Sequence, residues 1–231
     1  IGVDIRVPGS RKFAQVGNLP WLCHNLWLQY RYSMDETILR NTIFPTLKRA
    51  INFYIPFLEK DEQGILHLKE TYSPEYGSAK DCNYDIALLR WGCQTLLKAS
   101  QILSIKDNLI PKWQEIIEKL TDYPQDENGM MIGKDMPFSK SHRHYSHLLM
   151  FYPLYLLNIE QNENKELLEK SVEHWLSIPG NILGFSNTGA SSLYAAAGEG
   201  NKALEKLKGL FALALRPNTM YMESGPVIET P

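Results

Sequence analysis

The chain has 231 residues, of which 44% are hydrophobic and 22% charged, and this is enough for a domain with a sizeable core. Its formal net charge of −2 supplies no basic surface, so we expect no nucleic-acid partner. The longest apolar run, residues 148–157, contains Pro153 and is too short to cross a bilayer, which predicts no membrane span. The spacing of Cys23, Cys82 and Cys93 fits neither a zinc site nor a disulfide framework and predicts buried free thiols.

Helical periodicity dominates the chain after an irregular lead-in, residues 1–20, that glycine and proline interrupt. Asp35 is placed to cap a helix whose apolar stripe runs from Leu39 to Leu58. A short strand is predicted at residues 65–68. The other predicted helices cover residues 21–30, 86–103, 112–120, 145–157, 165–176, 186–197 and 202–215.

These helices, about eight in roughly four hairpins, predict a repeated helical architecture, for which an open solenoid and a closed toroid are the two common solutions. Two connections are unusually long, residues 59–80 and residues 123–141, and both are rich in glycine, proline and charge. Long loops in a helical domain are commonly functional or disordered. Because both contain aromatic residues and end near unusual polar clusters, we interpret them as site loops.

The first polar cluster is the loop at residues 71–77, where Glu75 lies between Tyr72 and Tyr76. Pro74 stiffens this loop by fixing its own φ. A carboxyl group held between two tyrosine rings would lose hydration, which raises its pKa, as a general acid for a glycosidic oxygen requires. The alternative is a solvated loop glutamate.

The second cluster, residues 141–147, contains His142, Arg143, His144 and His147 and leads into the predicted helix at residues 145–157. His144 and His147 lack the spacing and the glutamate of a zinc protease, so we predict no metal site. Neutral imidazoles and a guanidinium at a helix start suit hydrogen bonds to sugar hydroxyls or a brace for carboxylates. The alternative is a capped helix start with partly exposed histidines.

A third cluster lies in residues 221–231, where Glu223 and Glu229 flank a Gly-Pro turn. The alternative interpretation of this segment is a frayed terminus. The sequence contains no phosphate-binding loop, serine-hydrolase elbow or dinucleotide fingerprint. Carboxylates, histidines, arginine and aromatic rings on the connecting loops therefore remain as the functional candidates.

In these motifs the sequence resembles the catalytic domain of glycoside hydrolase family 95, the inverting α-L-fucosidases and their α-L-galactosidase relatives. Four stretches carry the resemblance in the family's order, and the histidine-rich one is the most specific. They are residues 21–27 with Tyr30 and Asp35, Ser73-Pro74-Glu75 with Asp85, residues 142–153, and Gly184-Phe185-Ser186 with residues 193–203.

The resemblance implies an all-α fold, an (α/α)6 toroid of which residues 1–231 form part, with about eight of its twelve helices. The remainder of the same polypeptide would then be needed to close the barrel. The implied substrate is an oligosaccharide or polysaccharide, cleaved by an inverting mechanism that uses two carboxyl groups and no metal or other cofactor. The family also suggests a periplasmic or secreted protein.

The resemblance also implies roles for individual residues. Glu75 matches the family's general acid, and Glu229 is the candidate base. The candidate sugar-binding residues are Trp21, Tyr72, Tyr76, His142, Arg143, His144 and His147. We further expect Glu75 to lie within side-chain reach of residues 142–147, with aromatic rings walling the space between them.

Three positions depart from the family pattern. Tyr76 stands where the family has asparagine, Phe185 replaces a tryptophan, and Glu229 replaces an aspartate. In the family, the asparagines that help the base to position water lie upstream of the position that matches Ile1. These departures leave open a glycan-binding relative that has lost catalysis. A helical-repeat scaffold for protein partners is a third hypothesis, motivated by the hairpin periodicity alone.

Overall fold

The computed structural model describes residues 15–221 and residue 223, and these are mostly helical, which confirms the all-α class. The chain forms two compact units, described here separately. The first comprises the described chain up to Pro124 together with Ile132–Met136. The second comprises Gln125–Met131 and the described chain from Pro137 onward. None of the described helices is long and apolar enough to span a membrane.

The helix predicted at residues 21–30 is observed as α1, which starts at Asn18, inside the stretch predicted to be irregular. Asp35 caps the next helix as predicted, because its Oδ1 accepts a hydrogen bond from the Thr37 amide at 2.8 Å. The predicted stripe to Leu58 is wrong in its last turn, since the helix ends at Asn52 and Pro56 cannot continue it. The helical elements are α1 (Asn18–Ser33), α2 (Glu36–Ile38), a π-helical segment (Leu39–Ile43), α3 (Phe44–Asn52), a 3-10 turn (Ile55–Phe57), α4 (Asn83–Ile102) and α5 (Ile110–Lys119).

The centre of the first unit is α4, which packs against α1, α3 and α5. Most of its residues are buried, and its exposed residues, Gln94, Lys98 and Gln101, lie on one face of its second half. Gly92 lies so close to Ile51 of α3 that a Cβ atom at this position would clash with the Ile51 side chain. The predicted free thiols are confirmed, since Cys23, Cys82 and Cys93 are all buried and none forms a disulfide.

The long connection at residues 59–80 contains two antiparallel hairpins. In the first, β1 (Leu58–Lys60) pairs with β2 (Leu66–Leu68), and in the second, β3 (Thr71–Ser73) pairs with β4 (Gly77–Ala79). The strand predicted at residues 65–68 is therefore confirmed as β2. The other strands are three residues long, too short for an alternating pattern to identify them.

The second unit contains the helices predicted at residues 165–176, 186–197 and 202–215. Its elements are β5 (Gln125–Asp126), β6 (Gly129–Met130), α6 (Asn162–Ser177), α7 (Gly184–Ala196) and α8 (Gly200–Ala214). A tight turn at Gly198, whose φ is 79°, joins α7 to α8, and these two helices pack against each other.

The helix predicted at residues 145–157 is wrong. Only Ser146–Leu148 forms a 3-10 turn, and non-helical turns follow it. Pro153 lacks the amide hydrogen that a helix needs, and Tyr155 has a φ of 49°, outside the helical region. Residues 148–151 are nevertheless fully buried, so their apolar character reflects core packing in an irregular segment.

Candidate active site

The Glu75 loop is the tip of the β3–β4 hairpin. Ser73 pairs with Gly77, and the Tyr76 amide donates to the Ser73 carbonyl at 3.0 Å, which closes a four-residue turn. Pro74 occupies the second position of this turn, and Glu75 the third, with a φ of 56°. A positive φ is unfavourable for a residue with a side chain and is common at functional sites. The turn therefore presents Glu75 at the cost of backbone strain.

The Glu75 side chain is exposed in this structure. The predicted loss of hydration between two tyrosine rings is therefore wrong in this structure. Tyr76 is buried, and Tyr72 is half-buried. Glu75 is therefore at the surface, whereas its neighbour Tyr76 is buried.

A buried carboxylate anchors the base of this hairpin. Asp85, in the first turn of α4, is fully buried and accepts hydrogen bonds from Thr71 Oγ1 at 2.6 Å and from the Tyr54 hydroxyl at 2.7 Å. Burial raises the pKa of Asp85 to about 7, although these two hydrogen bonds oppose the rise. Asp85 entered the sequence analysis only as part of a motif, and its role as an anchor depends on contacts that spacing does not reveal.

Trp21 lies near the same end of α4. Its ring packs against Tyr84 with the ring centroids 5.6 Å apart, and the Tyr84 hydroxyl donates to Asn18 Oδ1 at 3.2 Å. Trp21 is only half-buried, so part of its ring remains accessible. The N-terminal turn of α4 thus contacts both α1 and the hairpin that carries Glu75.

In the second unit, side chains of two helices hold the histidine-rich segment by hydrogen bonds to its backbone carbonyls. The Trp175 indole N–H of α6 donates to the His142 carbonyl at 2.7 Å, and Ser186 Oγ of α7 donates to the Arg143 carbonyl at 3.0 Å. Residues 142–144 precede the 3-10 turn, His147 lies within it, and no α-helix starts here, so the hypothesis of histidines at a helix N-terminus is wrong. Two helices position its backbone instead.

The side chains of this segment form an aromatic and cationic surface. The His142 and His144 ring centroids are 5.0 Å apart, and His144 meets the edge of Phe185 at 5.1 Å. Arg143 Nε donates to His144 Nε2 at 3.3 Å. This hydrogen bond helps to orient the His144 ring.

His147 has a different environment from the other histidines of the segment. It is 1% exposed and stacks on Phe138 with ring centroids 4.5 Å apart, and its Nδ1 has no hydrogen-bond partner. Burial, with the nearby His142 and His174, lowers its pKa from an ordinary 6.5 to about 3. The structure therefore places His147 in the core, which does not favour its predicted contact with a sugar.

Glu223 is buried against the start of α7. Its Oε2 accepts hydrogen bonds from the Phe185 amide at 2.8 Å and from the Tyr221 hydroxyl. Gly184, the first residue of α7, leaves the room that the Tyr221 ring occupies. Glu223 thus caps α7 from a distant part of the chain, a role that its position beside a Gly-Pro turn does not indicate.

The structure does not test the predicted catalytic and sugar-binding roles. Glu229 lies outside the described residues. Glu75 and residues 142–147 belong to different units, so their predicted proximity remains a prediction. Within the second unit, the structure brings His142, Arg143 and His144 together, and His147 lies deeper in the core, stacked on Phe138.

Comparison with known proteins identifies the class. The family model described as the glycosyl hydrolase family 95 catalytic domain matches residues 9–226, and the chain belongs to this family. The chain is 28% identical to alpha-L-fucosidase 2 of Arabidopsis thaliana, over 89% of this chain and 26% of that protein. It is 26% identical to probable alpha-fucosidase A of Aspergillus niger, over 77% of this chain and 24% of that protein. The chain therefore spans about a quarter of the length of these relatives.

We predict that His147 makes the stability of the protein depend on pH. Its folded pKa of about 3 lies below the ordinary 6.5, so only the unfolded state takes up a proton as the pH falls between these values. The free energy of unfolding should lose about 2 kcal/mol of this contribution between roughly pH 6.5 and pH 5. Chemical unfolding of the wild type and of His147→Phe, which keeps the ring, measures the effect. Parallel pH profiles for the two proteins would contradict the assignment.

We predict that Glu223→Ala destabilises the second unit by about 1–3 kcal/mol, because the Phe185 amide loses its acceptor. Glu223→Gln keeps an acceptor oxygen and should lose less. Thermal unfolding of both variants measures the difference. If both substitutions leave the melting temperature unchanged, Glu223 does not cap α7 in solution.

Proposed function

We propose that the protein is a glycoside hydrolase that removes an α-linked L-sugar, of the fucoside or galactoside type, from oligosaccharides or polysaccharides. Family membership supports the reaction class, and the names of the two relatives support an α-fucoside as substrate. The structural observation that carries the proposal is the strained, proline-stiffened turn that presents the exposed Glu75. A positive φ at a glutamate is costly, and its retention is typical of a residue that acts on a ligand.

Glu75 is assigned as the general acid in this proposal. A general acid must hold its proton near neutral pH. A bound sugar that covers Glu75 would remove water from the carboxyl and raise its pKa. The substrate itself would thus supply the burial that this role requires.

In this proposal, side chains of the histidine-rich segment hold the sugar. His142 and His144 offer ring nitrogens, and the guanidinium of Arg143 offers several donors for hydroxyl groups. The Phe185 ring, which lies against His144, provides an apolar face of the type that packs on a pyranose. Trp21 and Tyr72, both half-buried, are the aromatic candidates of the first unit.

An inverting mechanism needs a second carboxyl that activates water on the opposite face of the sugar. Glu229 is the candidate by its place in the family pattern. In an intact inverting site the two carboxyl groups are separated by roughly 6.5–9.5 Å, which leaves room for the water. The assignment of Glu229 as the base rests on the resemblance to the family pattern.

We predict that Glu75→Gln lowers kcat on an aryl α-L-fucoside by about 10²–10⁴-fold, because the leaving oxygen loses its proton donor. The assay uses the full-length protein, with α-L-galactoside as a parallel substrate. Glu70→Gln is the matched control, since Glu70 is exposed and immediately precedes β3.

Two outcomes of this assay would count against the proposal. Unchanged turnover by Glu75→Gln would overturn the acid assignment. Absence of turnover by the wild type, together with oligosaccharide binding in calorimetry, would replace the hydrolase with the glycan-binding alternative. That alternative is motivated by the departures at Tyr76 and Glu229.

We further propose that the rest of the same polypeptide covers α8 and completes the helical barrel. One face of α8 exposes large apolar side chains in the described structure, and Phe211 is 53% exposed. This stripe follows helical spacing and consists of Leu204, Leu207 and Phe211, with Leu215 just after the helix. A continuous apolar stripe on a helix is typical of a packing surface.

We predict that Phe211→Lys lowers the free energy of unfolding of the full-length protein by about 2–4 kcal/mol, because a charge would enter a packed interface. Tyr32→Lys on α1 is the control, since Tyr32 is 87% exposed. Thermal unfolding measures both. Equal and small effects of the two substitutions would show that the α8 face stays in solvent.

A further inference from the structure

Asp85 is a buried carboxylate that the proposed chemistry leaves without a role. It lies in the first turn of α4, is fully buried, and has two hydroxyl partners, Thr71 and Tyr54. A carboxylate removed from water is unfavourable, and apolar residues of similar size commonly stabilise such a position better. A buried carboxylate in this place therefore calls for a function beyond core packing.

The two partners of Asp85 belong to different elements. Tyr54 follows α3 and precedes the first hairpin, whereas Thr71 is the first residue of β3. Thr71 pairs with Ala79 at the open end of the β3–β4 hairpin, whose tip carries Glu75. Asp85 thus joins the most deeply buried helix of the first unit to the base of the loop that presents Glu75.

The β3–β4 hairpin needs a contact outside its own ladder to hold it in place. Its ladder has three residue pairs, and short two-stranded hairpins are marginally stable by themselves. The hydrogen bond from Thr71 Oγ1 to Asp85 Oδ2 measures 2.6 Å, a length typical of a hydroxyl that donates to a carboxylate. Because Thr71 lies four residues before Glu75, a shift of β3 would be transmitted through the stiff Ser73-Pro74 segment to the acid.

We infer that Asp85 is a positioning residue for Glu75, acting through Thr71 and the β3–β4 hairpin. The catalytic arm of the test rests on the proposed function, whereas the structural arm does not. Asp85 does not touch the substrate in this inference. It holds the strand whose displacement by about 1 Å would cost a large part of the rate.

The two hydrogen bonds to Asp85 allow a matched comparison. Thr71→Val and Tyr54→Phe each remove one hydroxyl donor from the same carboxylate and keep the shape of the side chain. Only the first releases the hairpin. In the full-length protein we expect Thr71→Val to lower kcat on an aryl α-L-fucoside by about tenfold or more with KM nearly unchanged. Tyr54→Phe should change kcat by less than about twofold, and Thr71→Ser, which restores a hydroxyl, should recover most of the rate.

Hydrogen exchange followed by mass spectrometry provides the structural arm. Amides of residues 71–79 should exchange faster in Thr71→Val than in the wild type or in Tyr54→Phe. This readout requires no turnover. A wild-type protein without activity would end the proposed function, while the exchange pattern would still decide the inference about Asp85.

Equal losses of kcat in Thr71→Val and Tyr54→Phe, in proportion to their losses of stability, would overturn the inference and leave Asp85 with a structural role only. Unchanged exchange of the hairpin in Thr71→Val would overturn it as well. If Thr71→Val does not fold, Thr71→Ala replaces it, because alanine also lacks the hydroxyl that donates to Asp85. Faster hairpin exchange in that variant supports the inference, and wild-type exchange overturns it.

Discussion

The first unit depends on the burial of α4 with a carboxylate in its first turn. Asp85 is surrounded by protein, and the Thr71 and Tyr54 hydroxyls are its hydrogen-bond donors. The low dielectric that raises the pKa of Asp85 also strengthens its two hydrogen bonds. One side chain therefore connects the core helix, the turn after α3 and the hairpin that ends at Glu75.

In the second unit, aromatic packing and hydrogen bonds to the backbone hold the histidine-rich segment in place. Residues 142–144 are not helical, so their backbone groups need partners, and the Trp175 indole and the Ser186 hydroxyl supply two of them. Glu223 caps the helix that carries Phe185, and Phe185 in turn packs against His144. The residues most similar to the family's sugar-binding motif thus rest on a framework built by α6 and α7.

Within one short segment, the four polar residues have different environments. His142 is buried with its carbonyl bound, Arg143 and His144 are half-buried and hydrogen-bonded to each other, and His147 is enclosed beside Phe138. A motif that matches a family as a unit is therefore not a uniform set of ligand contacts. Arg143 and His144 are the better candidates for contact with a substrate, and His147 is better explained by packing.

The sequence by itself determined the helical class, most helix positions and the Asp35 cap, because periodicity and capping are local properties of the chain. It also indicated that residues 71–77 form a stiff loop, since Pro74 restricts the backbone wherever it occurs. It failed at residues 145–157, where an apolar run suggested a helix although Pro153 interrupts it, because burial makes irregular and helical segments equally apolar.

Only the tertiary structure decided which polar residues share partners. Thr71, Asp85 and Tyr54 meet across separate elements, and Glu223 reaches the amide of Phe185 from a distant part of the chain. The positive φ of Glu75 and the burial of His147 also depend on surroundings that local patterns do not encode. The physical reason is that hydrogen bonding and desolvation depend on distances in space, whereas periodicity and spacing describe distances along the chain.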